Sequence, residues 1–313
     1  MRWIHLLMLP VVLAGLVSIV LAGTGGPSAA APEDEIVSVL GRSRVGGRDV
    51  FVHITFVVPA GRDKQELAEA LLAAQGAVPD IESAAFVASG FLWPQFSDAS
   101  SSNNFVPQYY NRSGQPSDGA ATSFRRSQTT WTNVPSSRFT FAYAGSTTRC
   151  PSLVDECAGA QAFDGRNDVG WLVLGGCCTL GVTWYGIGPS GHEADMALNT
   201  SLPWSTTGGL YDIETVFLHE NGHVAGLGHS TSIGAVMNAS YQGVRRTLAC
   251  DDISGISALY PDAGVNPCLA TPTPTATLFP GGGLPVPPSL GLPPAFCPPF
   301  CLPPVCLPPI CIP

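Results

Sequence analysis

HENGHVAGLGHS, running from His219 to Ser230, decides how this 313-residue chain is built around its chemistry. On a helix of 3.6 residues per turn, positions four apart share a face, so His219 and His223 can present ring nitrogens to one metal ion. Glu220 stands beside them and can reach a water at that metal without taking a ligand position, as a general base must in a zinc hydrolase. A third ligand carried two turns further on the same helix would sit roughly 9 Å along the axis, out of reach of a tetrahedral site. The helix must therefore stop. Gly226 predicts the stop: lacking a Cβ, it turns the chain back cheaply and returns His229 to the third ligand position, leaving the fourth to water. Chance would assemble these five residues at these offsets with a probability on the order of 10⁻⁴ or less, which favours a built metal site over a coincidental helix pattern.

The spacing HExxHxxGxxH resembles the metzincin signature, and Ser230 after the last histidine is similar to the matrixin branch of that clan. Met237, within GAVMNASY, resembles the methionine of the turn that underlies the metal in metzincins. LACDDISGISALYP, from Leu248 to Pro261, resembles the closing helix of matrix metalloproteinase catalytic domains, with Asp251 and Asp252 at its start. Aspartates there serve as helix N-terminal caps; the resemblance adds that one of them supports the turn beneath the zinc. It implies an α+β catalytic domain over residues 105–262, a mixed twisted sheet packed on an active-site helix and a C-terminal helix, with the cleft beside the final strand. It further implies one Zn²⁺ on His219, His223 and His229, Glu220 as catalytic base, and Met237 beneath the metal. Tyr241 would line the pocket for the residue after the cut, although Asn238 and Ala239 replace the tyrosine and proline usual there. The structural zinc of the family, held by three histidines and an aspartate, has too few ligands here, since His192 is the one other histidine of that region. Calcium stays open: Asp155, Asp164, Asp168, Glu193 and Asp195 offer oxygen ligands of the kind Ca²⁺ takes, and aspartates are equally turn residues.

Upstream of the motif, Ala121, Phe124, Gln128 and Trp131 share helical spacing after Pro116. RFTFAYAG, VGWLVLG, TLGVTWYG and EADMALN then read as strands. Nearer the start, IVSVLGRSRVGGRDVFVHITFVV predicts two strands joined at Gly46 and Gly47, with Val50, Val52, Ile54, Phe56 and Val58 on one face. A helix capped by Asp63 and Glu66 and ended by Gly76 follows, and AAFVASGF suggests a third strand. Residues 35–98 thus form a small α+β N-terminal module with a serine-rich linker. A propeptide is one reading of it. No cysteine precedes Cys150, so latency through a propeptide thiolate is excluded by composition, while steric blocking and an accessory role stay open. His53 reads as an ordinary strand histidine rather than a ligand.

Composition sets the surroundings. With 14 basic and 23 acidic residues the net charge is −9, which argues against a nucleic-acid or anionic-membrane partner. Arg2 to Ala22 carry a positive start and a long apolar run, so residues 1–31 read as a signal peptide, or an anchor where uncleaved. Ten cysteines in an exported chain are expected to be bridged: Cys150 with Cys157 across a short loop, and Cys250 with Cys268 around the last helix. Cys177 and Cys178 have no assigned partner. Residues 268–313 are a tail in which Cys297, Cys301, Cys306 and Cys311 recur among prolines, a spacing of no familiar zinc module. The whole reads as a secreted or cell-surface zinc endopeptidase acting on proteins or peptides. A zinc-stabilised binding protein and a small-peptide or amide hydrolase are the alternatives.

Overall fold

The computed structural model describes residues 34–80, 91–97, 104–154, 157, 162–175, 178–209 and 211–269. The export segment, most of the AAFVASGF stretch and of the serine-rich linker, and the proline- and cysteine-rich tail lie outside the described residues.

VFVHITFVV is apolar at nearly every position, the pattern of a strand covered on both faces. It forms β2 (Arg48–Val58), paired antiparallel with β1 (Glu35–Val45) so that Val45 faces Arg48. Gly46 and Gly47 make the two-residue turn with φ of 56° and 80°, the positive values such a tight hairpin needs. Helix α1 (Lys64–Ala74) starts at Asp63, whose carboxylate accepts from Glu66 N at 2.8 Å. It packs Ala68, Leu71 and Leu72 on the Val50, Val52, Ile54, Phe56 and Val58 face of β2. A short β3 (Val78–Pro79) borders β1.

The remaining elements are β4 (Val106–Asn111), α2 (Gly119–Thr132), β5 (Phe141–Thr147), β6 (Asp168–Leu172), β7 (Thr179–Gly188), β8 (Gly191–Asn199), β9 (Trp204–Ser205), β10 (Tyr211–Asp212), α3 (Ile213–Val224) and α4 (Cys250–Leu259). Among the described residues one eight-stranded sheet runs β3-β1-β2-β7-β8-β6-β4-β5. Its first half is antiparallel, and the β8, β6, β4 and β5 pairings are parallel. This is the mixed α+β architecture expected from the sequence. The N-terminal strands are continuous with it: β2 pairs with β7 from Val50 opposite Gly186 to Phe56 opposite Thr179. One expectation needs correcting. Strand β8, the last of the eight-stranded sheet, lies inside it, hairpinned to β7; it is β7, with β2 along its outer edge, that borders the HENGHVAGLGHS segment, where Thr183 donates to Glu220.

Helices α2 and α3 pack together on the sheet. Phe124 stands between Tyr110 and Phe217 with ring centroids 5.1 and 5.3 Å away, and Trp131 Nε1 donates to Leu218 O at 2.8 Å. A buried amide network stitches the same layer: Gln128 Nε2 donates to Gln108 Oε1, Gln108 Nε2 to Asn221 Oδ1, and Asn221 Nδ2 to Ser127 Oγ, at 2.8, 2.9 and 2.7 Å. Phe91, Trp93 and Phe96 are buried in the same core, where Trp93 Nε1 donates to Val224 O at 2.7 Å. Disulfides join Cys150 to Cys157 and Cys250 to Cys268, and Cys178 is bridged as well. Among the described residues no helix is long and apolar enough to cross a membrane.

Candidate metal centre

All twelve residues of α3 are buried, so its polar side chains must find partners within the protein. Asp212 caps the helix, accepting from Thr215 N at 2.9 Å, and Arg246 pairs with the same carboxylate. Burial pushes the Asp212 carboxyl up, but the hydrogen bonds from Arg246 and Thr215 outweigh it and hold the group below its ordinary value. At the other end, Gly226 N donates to His223 O and Leu227 N to Gly222 O, at 2.9 and 3.0 Å, which closes the helix in a Schellman turn. Gly226 has φ 95°, and a Cβ on it would collide with the Phe91 carbonyl oxygen. That turn brings His229 back beside the helix.

Four imidazoles meet there. One nitrogen each of His53, His219, His223 and His229 lie within 4.8 Å of one another, a group that could hold a metal ion. His219 Nε2 is 3.1 Å from His223 Nε2, and His229 Nε2 is 2.6 Å from His53 Nε2. Four nitrogens around one zinc would stand roughly 3.3 Å apart, from bond lengths of about 2 Å in a tetrahedron. The orientation of the rings is fixed from behind: His219 Nδ1 donates to Val236 O at 2.7 Å and His223 Nδ1 to Leu227 O at 2.8 Å. With those protons placed, the two neutral rings turn unprotonated Nε2 lone pairs toward each other. Such an arrangement calls for a cation between them, so the donor set fits a zinc-type metal. Burial pushes His219 down to about 4, with His229 adding to the effect, and drives His53 and His223 well below their usual value. All three are therefore neutral at physiological pH, the state in which imidazole binds a metal.

Glu220 is fully buried beside this group. Its carboxylate accepts from Thr55 Oγ1 at 2.7 Å and Thr183 Oγ1 at 2.6 Å, and Oε2 lies 3.4 Å from His53 Nδ1. Burial raises its pKa, against the opposing pull of His219 and the two hydroxyls.

Met237 lies beneath α3 against Gly222, where any Cβ would collide with its sulfur. The turn that carries it hangs on one carboxylate, since Asp252 accepts from Val236 N, Met237 N and Ala249 N at 2.8, 3.0 and 2.8 Å. Asp251 accepts from Ser230 Oγ at 2.5 Å. Tyr241 borders a small cavity beside His219, together with Ser38, Thr55, Thr215, Val236 and Arg245. Away from the cluster, His192 packs near the Phe91 ring at 4.9 Å. Of the carboxylates considered for calcium, Asp155 lies outside the described residues. Glu193 accepts from Asp164 N at 3.1 Å and from Gly165 N, and Asp195 accepts from Asp168 N at 2.7 Å. Burial raises Glu193 to about 7 and Asp168 to about 6.

A protein-family model described as Matrixin matches residues 115–261, the span that holds α2, β5 to β10, α3, the methionine turn and α4. Residues 115–261 are a matrixin domain. Among curated proteins, a stretch of this chain is similar to metalloendoproteinase 1 of Glycine max, 48% identical over 59 residues, which is 18% of this chain and 18% of that protein. Neutrophil collagenase of Homo sapiens is 36% identical over 73 residues, 22% of this chain and 16% of the relative. Karilysin of Tannerella forsythia is 40% identical over 57 residues, 18% and 12% respectively. The matched stretch thus spans under a fifth of each of these relatives' lengths.

His53 departs from the sequence reading. It is a strand residue, as expected, and its ring also stands in the imidazole group of the matrixin motif. The clue was available: a histidine inside a run apolar on both faces is a buried polar group, and such a group must be satisfied by something.

Proposed function

We propose that this chain is a zinc-dependent endopeptidase that hydrolyses peptide bonds in proteins or peptides. The observation that carries the reading is the convergence of His219 and His223, with Glu220 beside them on helix α3, and of His229, which the turn at Gly226 returns to that helix. A zinc ion bound there supplies a Lewis acid for the scissile carbonyl and lowers the pKa of an attacking water. The protein's own groups do the rest. The Nδ1 donations to Val236 O and Leu227 O keep the ligating nitrogens of His219 and His223 aimed at one point. Glu220, whose carboxyl is raised by burial, accepts the proton of the water and passes it to the departing amine. Met237 fills the space below the ligands, and Tyr241 lines the pocket for the residue after the cut.

The finer parts of the proposal have separate supports. Secretion rests on the apolar segment from Arg2 to Ala22 and on the disulfides Cys150–Cys157 and Cys250–Cys268. Calcium rests on the grouping of Asp164, Asp168, Glu193 and Asp195, oxygen donors of the kind Ca²⁺ takes, with Glu193 and Asp195 raised mainly by burial and further by the neighbouring carboxylates. Millimolar calcium should then raise the melting temperature above that in equal magnesium, and no difference removes calcium from the account.

A second reading, a secreted binding protein with a structural zinc, is favoured by one observation: with His53 the donor set is four imidazoles, the closed composition of a structural site. A small-peptide or amide hydrolase is the third. Casein and short quenched peptides should be offered to zinc-loaded wild type and Glu220→Ala, before and after limited trypsin treatment with the trypsin then inhibited. The endopeptidase reading expects casein cleavage that falls about 10²- to 10⁴-fold in the variant. Equal activity defeats the base assignment, cleavage of short peptides alone favours the amide hydrolase, and inactivity throughout favours the binding protein.

A further inference from the structure

We propose that His53 is a fourth ligand of the metal held by His219, His223 and His229, and that the β1–β2 hairpin fills the substrate cleft as an internal strand. The inference rests on the zinc-endopeptidase reading and adds a means of keeping that site closed.

Three sets of contacts carry it. The first is the nitrogen geometry: His53 Nε2 faces the group, 2.6 Å from His229 Nε2, and Nδ1 lies 3.4 Å from a Glu220 carboxylate oxygen without a hydrogen bond to it. A catalytic zinc keeps one coordination position for water or substrate, and here a side chain stands at that position. The second is the backbone. An extended peptide binds a protease by adding a strand to a sheet edge, and the edge that borders these histidines is β7. Strand β2 pairs with it antiparallel from Val50 to Phe56. On the opposite side Ser38 N donates to Ala239 O at 2.8 Å and Tyr241 N donates to Ile36 O at 2.7 Å, so β1 pairs with the segment that follows Met237. The hairpin therefore takes up hydrogen-bonding groups on both rims of the cleft. The third is the base itself, since Thr55, two residues from His53 on the same face of β2, donates to Glu220 Oε1 at 2.7 Å and shares a contact with Ser38 Oγ at 2.9 Å. One short stretch thus caps the metal, ties the base and occupies the backbone sites of a substrate. Being part of the same chain, it acts at an effective concentration in the mM range, above that of most free peptides. No thiol is involved, which agrees with the absence of cysteine before Cys150.

The test compares the full chain with His53→Ala, each zinc-loaded for X-ray absorption and cobalt-loaded for visible spectroscopy. Four imidazoles are expected in the first shell of the wild type, and three with an added oxygen in the variant. Acetohydroxamate, a small chelating probe, should change the cobalt spectrum of the variant at concentrations at least tenfold below those needed for wild type. His53→Gln serves if the alanine variant does not fold, and the wild-type count decides on its own in either case. Three imidazoles in the wild type, or equal hydroxamate binding by both proteins, overturns the inference. A wild type with three imidazoles that cleaves casein sinks this proposal and leaves the endopeptidase reading standing. Four imidazoles falling to three, with no cleavage by either protein after trypsin treatment, does the reverse.

Discussion

At the residue scale, two glycines set the geometry of the site for opposite reasons. Gly226 is needed for its backbone: a φ of 95° suits a residue without a Cβ, and the Phe91 carbonyl oxygen occupies the space a side chain would take. Gly222 is needed for close approach, because Met237 lies directly against it. Gly226→Ala should cost about 1–3 kcal/mol from backbone strain alone, and more from the collision. It should also lower zinc content by displacing His229; a variant with wild-type urea midpoint and full zinc would contradict this account. The helix stop at Gly226 was legible in the sequence because the ligand spacing demands it. The role of Gly222 was not, since nothing in HENGH says which side chain crosses beneath the helix. His53 was missed for a related reason: strand alternation tells which face a residue is on, but not which element covers that face.

At the scale of elements, α3 is secured at its start by a half-buried ion pair and the chain after α4 by a covalent bond. The Asp212 carboxyl is held below its ordinary value when folded, so the stabilisation it provides is fully present above the unfolded pKa of about 4 and is lost as pH falls through the folded value. Asp212→Asn keeps an N-cap but not the charge facing Arg246. Urea midpoints measured from pH 6 down to pH 3 should show wild type ahead of the variant at pH 6, with the gap narrowing on acidification; a gap independent of pH would rule out the ion pair as its source. The Cys250–Cys268 bond spans 18 residues, and closing a loop of that size in the unfolded chain is worth about 3 kcal/mol. Replacing both cysteines with serine should lower stability by that order, and an unchanged midpoint would show the bond to be dispensable. Both bridges were legible from the spacing of the cysteines, once the apolar start of the sequence is read as an export signal. Strand β5 was legible from alternation, β6 to β8 from their strand-like runs, and α1 from its Asp63 cap. The buried network through Gln108, Gln128 and Asn221 was not, because amide side chains give no sign in sequence of whom they meet.

At the scale of the molecule, the N-terminal hairpin belongs to the sheet of the matrixin domain. Sequence patterning marked its two strands and their turn correctly, yet pairing between distant strands depends on edges, and an edge has no local signature. The run VFVHITFVV carried a partial hint in being apolar on both faces. If the sheet is continuous in solution, amides of β2 should exchange with solvent as slowly as those of β8, and exchange at the rate of an open edge strand would show the hairpin to be undocked. The central claim is simpler and sits beneath all of this: one metal ion is held where the buried imidazoles meet. Elemental analysis of folded, zinc-replenished protein tests it most directly. The account predicts one zinc per chain, lost in His223→Ala; wild type without stoichiometric zinc, or a variant that keeps it, contradicts the account.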